Sequence, residues 1–352
     1  MKVYENELYR EDVRYISGLK LPWEKLMNSS IMISGATGLV GSMLIDVIME
    51  KNTKGLNCTI YALGRNETRM RERFLYCYDN KLFHFVKYDV KNKLELLEVK
   101  NLDYILHLAS NTHPMQYSLD PIGTITTNII GVQNMLDFAA EHNAKRCAFA
   151  SSNEIYGENR GDVEKFDEKY CGYINCNTMR AGYPESKRCG EALCQAYIAQ
   201  KGLDIVIPRL TRSYGPTLLK TDTKALSQFL QKGVAGEDIV LKSDGTQYYS
   251  YLYIGDTISG LLTVLLRGEI GQAYNVSDNA SDIMLKDLAA IIAENSGKKV
   301  VFEIPSEVES AGYSKATKAR LDNKKLLQLG WKAKYDIKEG IDRTIKVLKN
   351  ID

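Results

Sequence analysis

The chain of 352 residues predicts an α/β fold, a doubly wound parallel sheet with a smaller C-terminal lobe. Three observations carry this expectation. Short β-branched or aromatic runs alternate with segments of helical period, a glycine-rich turn joins the first run to the first such segment, and the alternation loosens beyond residue 212. The length also exceeds the roughly 250 to 300 residues that one hydrophobic core usually serves, so a large domain with an appended lobe is expected.

Residues 1–28 precede the first strand and read as a helical extension whose purpose the sequence does not reveal. The strands are then read at 30–34 (SIMIS), 58–63 (CTIYAL), 83–88 (FHFVKY), 103–108 (DYILHL), 145–150 (KRCAFA) and 204–209 (DIVIPR). Each is short and apolar, as a strand covered on both faces must be. Helical period appears at 39–50, 124–142 and 181–201, and again in the C-terminal part at 284–295 and 337–348. No repeat, low-complexity tract or Pro/Gly-rich linker interrupts the chain. The expected division is an extension over 1–28, a sheet domain over 29–212, and a lobe formed mainly by 213–352 and interleaved with it.

Composition narrows the function. Hydrophobic residues make up 44% and charged residues 26%, and the net charge is only +2, so nothing draws the molecule globally to nucleic acid or to a membrane surface. Seven cysteines at irregular spacing, with no CxxC pair, argue against a disulfide framework and for a reducing, cytoplasmic setting. The charged start "MKVYENELYREDVRYISGLK" lacks the apolar run of a signal peptide, and no stretch reaches the ~18 apolar residues of a membrane span. A soluble chain is expected, and no metal.

The first motif with chemistry is "SGATGLVGS", which places Gly35, Gly38 and Gly41 as GxxGxxG between strand and helix. Gly35 permits the tight turn, Gly38 lets backbone approach a pyrophosphate, and Gly41 lets the helix pack closely. The helix start adds free N–H groups and positive potential. Thr37, Leu39 and Val40 belong to the same loop and are expected to touch the dinucleotide.

At the end of the second strand, NAD binders usually place a carboxylate on the adenosine ribose. This chain has Gly64 and Arg65 instead, followed by Arg69, Arg71 and Arg73. Arg65 could hold a ribose 2′-phosphate, which leans the cofactor toward NADP without excluding NAD, or it could be solvated. Arg69, Arg71 and Arg73 are expected on a solvated helix face. Asp89 and Val90 either border the adenine or simply end the third strand. Ala109 and Ser110, small residues after the fourth strand, leave room for a dinucleotide to pass. His107 reads as a core histidine and His113 as a solvated loop residue, neither with a role.

The fifth strand ends in "FASSNEIYGE", which puts Ser152, Asn153 and Glu154 at the carboxyl edge of the sheet, where ligands bind in open α/β folds. Downstream, "RAGYPESKR" carries Tyr183 and Lys187 one helical turn apart. A phenol with an ordinary pKa of about 10 is a weak base at neutral pH. An adjacent ammonium from Lys187 is expected to favour the phenolate, so that Tyr183 can take and return a hydroxyl proton during hydride transfer. Ser152 can orient the substrate oxygen, and Lys187 can also bond the nicotinamide ribose.

"GATGLVG", "SSNEIYG", "YPESK" and "RLTRSYGP", in this order and over residues 30 to about 270, resemble the extended short-chain dehydrogenase/reductase family, in particular its NAD(P)-dependent nucleotide-sugar epimerases, dehydratases and decarboxylases. The resemblance implies a Rossmann-like domain, a C-terminal lobe that binds a nucleoside diphosphate sugar, a homodimer formed through two helices per subunit, and oxidation of the sugar at carbon 4 by a retained cofactor. It matches Ser152, Tyr183 and Lys187 to the family's catalytic triad and Glu154 to the extra acid/base of its dehydratases and decarboxylases. "YPESKRCGEALCQAY" is closest in wording to UDP-glucuronate decarboxylases.

Two positions depart from the family pattern. Tyr249, in "GTQYYSYLYIGD", stands where an arginine usually contacts the diphosphate, and Arg212, in "RLTRSYGP", stands where an asparagine is usual. Arg212 is expected to return the lost charge to the diphosphate from the other wall. Asn153 occupies the position of an acid in many dehydratases, which disfavours that version of dehydration, although GDP-mannose dehydratases manage with the glutamate alone. A simple 4-epimerase needs no base such as Glu154, and the wording of "YPESKRCGEALCQAY" tilts the expectation to decarboxylation, with 4,6-dehydration or 4-epimerisation as the alternative. A non-catalytic NAD(P) sensor on the same fold is the reading of another class, and the intact triad speaks against it.

Overall fold

The computed structural model describes residues 2–95, 102–112, 114–303 and 317–351. His113 lies outside the described residues. The main sheet takes its strands from β1 (Ser30–Ser34), β2 (Thr59–Gly64), β3 (Phe83–Lys87), β4 (Tyr104–His107), β5 (Arg146–Phe149), β6 (Ser151–Ser152) and β7 (Ile205–Leu210). Helices α1 (Glu7–Ser17), α2 (Leu39–Asn52), α3 (Glu67–Arg73), α4 (Pro114–Leu119), α5 (Pro121–Glu141) and α6 (Gly182–Lys201) accompany them. The C-terminal part adds β8 (Arg212–Tyr214), β9 (Ile239–Leu241), β10 (Tyr248–Tyr253), β11 (Ala273–Val276), β12 (Asp282–Met284), β13 (Val300–Phe302) and β14 (Lys318–Ala319). Its helices are α7 (Ala225–Ala235), α8 (Ile254–Arg267), α9 (Leu285–Ser296), α10 (Lys324–Gln328) and α11 (Ile337–Ile351).

The strand order is β11-β7-β5-β4-β1-β2-β3, with β6 beside β7, and every pairing in this sheet is parallel. The chain thus winds outward from β1 in both directions, and the reversal between β1 and β4 opens a crevice beyond the carboxyl ends of the strands. Within β1, Ile31 and Ile33 join one buried cluster while Met32 joins the other, so the sheet is covered on both faces. Helices α5 and α6 cover one side, and Asn128 Nδ2 donates to Ser186 Oγ at 2.9 Å between them. The opposite face receives α2 and α8. Helix α8 has no polar face: every residue from Ile254 to Leu266 is buried.

The C-terminal residues do not form a separate bead. Strand β11 returns to the main sheet and pairs with β7, while β8, β10, β12 and β14 build a second small sheet and β9 pairs with β13. The N-terminal extension ties these parts together. Asp12 on α1 is fully buried and accepts hydrogen bonds from Tyr253 Oη (2.6 Å), Tyr335 Oη (2.5 Å) and Arg343 Nη2 (2.6 Å). Tyr9, also on α1, donates to Asp46 of α2 at 2.5 Å. Arg73 corrects the expectation of a solvated face on α3: its guanidinium turns inward to pair with the buried Asp46, because a carboxylate away from water requires a cation.

Candidate active site

The glycine loop leaves β1 at Gly35, whose φ of 70° lies in the left-handed region. A methyl at Gly41 would stand 2.4 Å from the Gly35 carbonyl oxygen, so α2 starts hard against the loop only because no side chain is there. Gly38 caps the helix without a side chain, which leaves the first amides of α2 facing the crevice. Backbone and helix start together form a cradle that could hold a pyrophosphate.

A cleft of about 1000 Å³ runs from this cradle across the strand ends to the small sheet. Every residue proposed from the sequence as a site residue lines it. Gly35, Thr37, Gly38, Leu39, Val40 and Gly41 form one end, with Arg65, Asp89, Val90, Ala109 and Ser110 along the strand tips. Ser152, Asn153, Glu154, Tyr183 and Lys187 occupy the middle, and Arg212 and Tyr249 line it from the small sheet. Arg65 is exposed just beyond the end of β2, and Arg69, on α3, is exposed as well. Asp89 accepts from Lys91 N at 3.1 Å, and Ser110 Oγ donates to Asn128 Oδ1 at 2.7 Å.

The middle of the cleft is assembled from two elements. Helix α6 delivers Tyr183 and Lys187, both buried, while β6 ends in Ser152 and the turn after it delivers Glu154, with Ser152 Oγ accepting from Glu154 N at 3.2 Å. Lys187 Nζ donates to the Ala150 carbonyl at 2.8 Å and lies 4.9 Å from the Phe149 ring centre. Burial dominates the electrostatics of both groups. Burial pushes the Tyr183 phenol up to about 12, with the Glu154 carboxylate adding to the rise, and burial pulls the Lys187 ammonium down to about 7. The opposing pull on Tyr183 comes from hydrogen bonding to Ser152 and Ser110 and from the Arg180 charge. His107 is a buried neutral histidine, held down to about 3 by burial, with Nδ1 2.9 Å from Ser34 Oγ.

Two residues were not read from the sequence. Arg180 Nη2 donates to Glu154 Oε2 at 2.6 Å, and its guanidinium lies 4.9 Å from the Tyr117 ring centre. Tyr117 in turn stacks on Tyr183 with ring centres 5.0 Å apart. Arg180 had a readable signal, since it precedes Tyr183 by three residues at the start of the same helical segment. Tyr117 had none. On the facing wall, the Arg212 guanidinium sits 3.7 Å from the centre of the Tyr249 ring, so the two departures from the family pattern form one stacked pair.

The sequence model of the NAD dependent epimerase/dehydratase family matches residues 31–277. A UDP-glucuronic acid decarboxylase 1 from Xenopus tropicalis is 30% identical over 315 residues, which are 90% of this chain and 71% of the relative. A UDP-glucuronic acid 4-epimerase from Bacillus cereus, solved with UDP-glucuronic acid and NAD, superposes with a TM-score of 0.79 at 19% identity, over 92% of this chain and 100% of that one. A dTDP-glucose 4,6-dehydratase from Streptomyces venezuelae, solved with NAD, gives 0.78 at 21% identity, over 91% and 97%. The two solved structures speak for the fold. The molecule is therefore an enzyme built on a Rossmann-like doubly wound sheet. The chain belongs to the NAD dependent epimerase/dehydratase family.

Proposed function

We propose that this enzyme oxidises a nucleoside diphosphate sugar at carbon 4 and then releases carbon 6 as carbon dioxide, the reaction of a UDP-glucuronate decarboxylase. The observation that carries the proposal is Glu154, held at 2.6 Å by Arg180 in the same cleft as Ser152 and Tyr183. A carbon-4 epimerase needs no carboxylate at this point, and the 30% identical decarboxylase aligns over 90% of the chain. NAD(P) seated on the glycine loop would exchange the hydride at carbon 4.

The chain's own groups handle the protons. Tyr183 removes the carbon-4 hydroxyl proton while Ser152 orients that oxygen, and Lys187 bonds the nicotinamide ribose. The resulting ketone is β to the carboxylate. As the bond between carbons 5 and 6 breaks, its electron pair enters the ketone as an enolate and carbon dioxide leaves, with Tyr183 protonating the enolate oxygen. Glu154 faces carbon 5 and governs its reprotonation. Arg212 holds the diphosphate against Tyr249, and Asn153 hydrogen-bonds the sugar.

The exposed Arg65 favours NADP as the cofactor. Ile122, Ile125 and Ile130 leave an apolar stripe on α5 that is 75%, 37% and 38% exposed, a surface suited to a homodimer. Seven free cysteines and the lack of any described helix long and apolar enough to cross a membrane support a cytoplasmic location. The deciding experiment is a mass spectrum of products from UDP-, GDP-, CDP- and dTDP-sugars, uronic acids included. Loss of carbon dioxide is expected from a uronate; loss of water or an unchanged mass with every sugar would sink the proposal.

A further inference from the structure

Arg180 is placed to do more than hold Glu154. Its Nη2 is bonded to Glu154, but its buried Nε has no hydrogen-bond partner. The guanidinium plane is fixed by the Tyr117 ring at 4.9 Å, and Tyr117 is fixed in turn by its stack on Tyr183. Most of the other described cations lining the cleft are engaged elsewhere or lie away from this point. Lys187 bonds Ala150, Lys224 bonds Asp222 and Thr112, Lys232 bonds Glu237, Lys242 follows β9, and Arg65 and Arg69 lie beyond β2. Arg212 stacks on Tyr249 with a buried Nη1 that has no hydrogen-bond partner, but it is not bonded to Glu154.

We propose that Arg180 forms the subsite for a carboxylate on carbon 5 of the sugar and thereby selects uronic acids over neutral sugars. The inference rests on the reaction proposed above. If Tyr183 reaches the hydroxyl on carbon 4 and Glu154 reaches carbon 5, the substituent of carbon 5 is one bond further along the same wall. That wall is the guanidinium already bonded to Glu154. A planar guanidinium fits a carboxylate through two parallel N–H donors, which an ammonium cannot reproduce.

The arrangement has an energetic consequence. Two carboxylates, that of the substrate and that of Glu154, share one guanidinium, so each is paired less completely than it would be alone. When carbon 6 departs as neutral carbon dioxide, Arg180 reverts wholly to Glu154. The subsite thus contributes to binding and selecting the substrate, and not to the bond-breaking step, in which that pairing is given up as the charge moves to the enolate.

Calorimetric titration of the cofactor-loaded enzyme with UDP-glucuronate, UDP-glucose and UDP tests the subsite. The wild type is expected to bind UDP-glucuronate more tightly than UDP-glucose. Arg180→Met is expected to lose about 30-fold in affinity for UDP-glucuronate, the size of one desolvated charge-assisted pair, and to change less than about threefold for UDP-glucose and UDP. Arg180→Lys should regain only part of the loss, since charge returns without the fork. Equal weakening of all three ligands would reduce Arg180 to a structural strut and overturn the inference. So would a wild type indifferent to the carboxylate, a result that needs no variant to fold. Preference for UDP-glucuronate, abolished in Arg180→Met but without release of carbon dioxide from the wild type, would leave the subsite standing and remove the decarboxylase proposal.

Discussion

Lys187 Nζ lies 2.8 Å from the carbonyl oxygen of Ala150, so a buried lysine is pinned to the backbone immediately before the strand that carries Ser152. Burial lowers its ammonium to about 7 from the ordinary 10.5. Between those two values the unfolded chain holds a proton that the folded chain does not, so this group makes stability rise with pH across that window. Below about 7 both states hold the proton and the cost stays constant. Lys187→Met removes the term. The stability advantage of the variant over the wild type is expected to shrink as pH rises from about 7 to about 10, followed by urea unfolding; a flat difference would contradict the assignment.

Tyr183→Phe keeps the ring that stacks on Tyr117 and deletes only the phenolic oxygen. Turnover is expected to fall about 10²- to 10⁴-fold, the usual worth of a positioned acid/base. Cofactor that co-purifies with the protein, measured by absorbance after release, should stay at the wild-type level. Near-normal turnover would defeat the role given to Tyr183.

If Arg65 holds a 2′-phosphate, Arg65→Ala should weaken NADP by about tenfold, equivalent to about 1.4 kcal/mol, and leave NAD nearly unchanged. Fluorescence titration with both dinucleotides decides the matter. Parallel losses would remove the NADP preference.

Arg212→Ala probes the stacked pair on the facing wall. UDP alone should bind about tenfold more weakly, and its affinity should depend less steeply on salt, because a cation facing a diphosphate has been deleted. Unchanged affinity and salt dependence would show that Arg212 does not replace the arginine absent at Tyr249.

Asp12→Ala leaves Tyr253, Tyr335 and Arg343 without their shared acceptor in a buried place. Breaking a buried pair from one side costs about 3–5 kcal/mol, so the urea midpoint should drop sharply. A loss below about 1 kcal/mol would show that α1 is a passive appendage.

The six strands of the main sheet that were read from the sequence all lie within about two residues of their observed ends, because a strand covered on both faces is uniformly apolar and ends at a turn signal. Strand β1 coincides at both ends, Ser30 and Ser34. Helix α8 escaped for the same reason that made the strands visible: buried all round, it shows no alternation of polar and apolar faces. The glycine loop and the residues of "SSNEIYG" and "YPESK" come together in one cleft, since each motif sits at a strand end or helix start that the fold fixes. Tyr117 could not be read, because it reaches Tyr183 only through packing between segments far apart in sequence. Arg73 was misread, since its partner Asp46 lies on another helix and looks like any surface carboxylate in one dimension.

The return of Ala273–Val276 to the main sheet bears on how the molecule comes to be made. During synthesis β7 emerges long before β11, and until residue 276 is available its outer edge offers unpaired N–H and C=O groups to any neighbouring chain. The main sheet is therefore completed only after nearly half of the C-terminal lobe exists. A nascent or truncated chain that stops at residue 212 would be expected to aggregate through that edge, which makes synthesis to residue 276 the step that commits this enzyme to a single closed molecule.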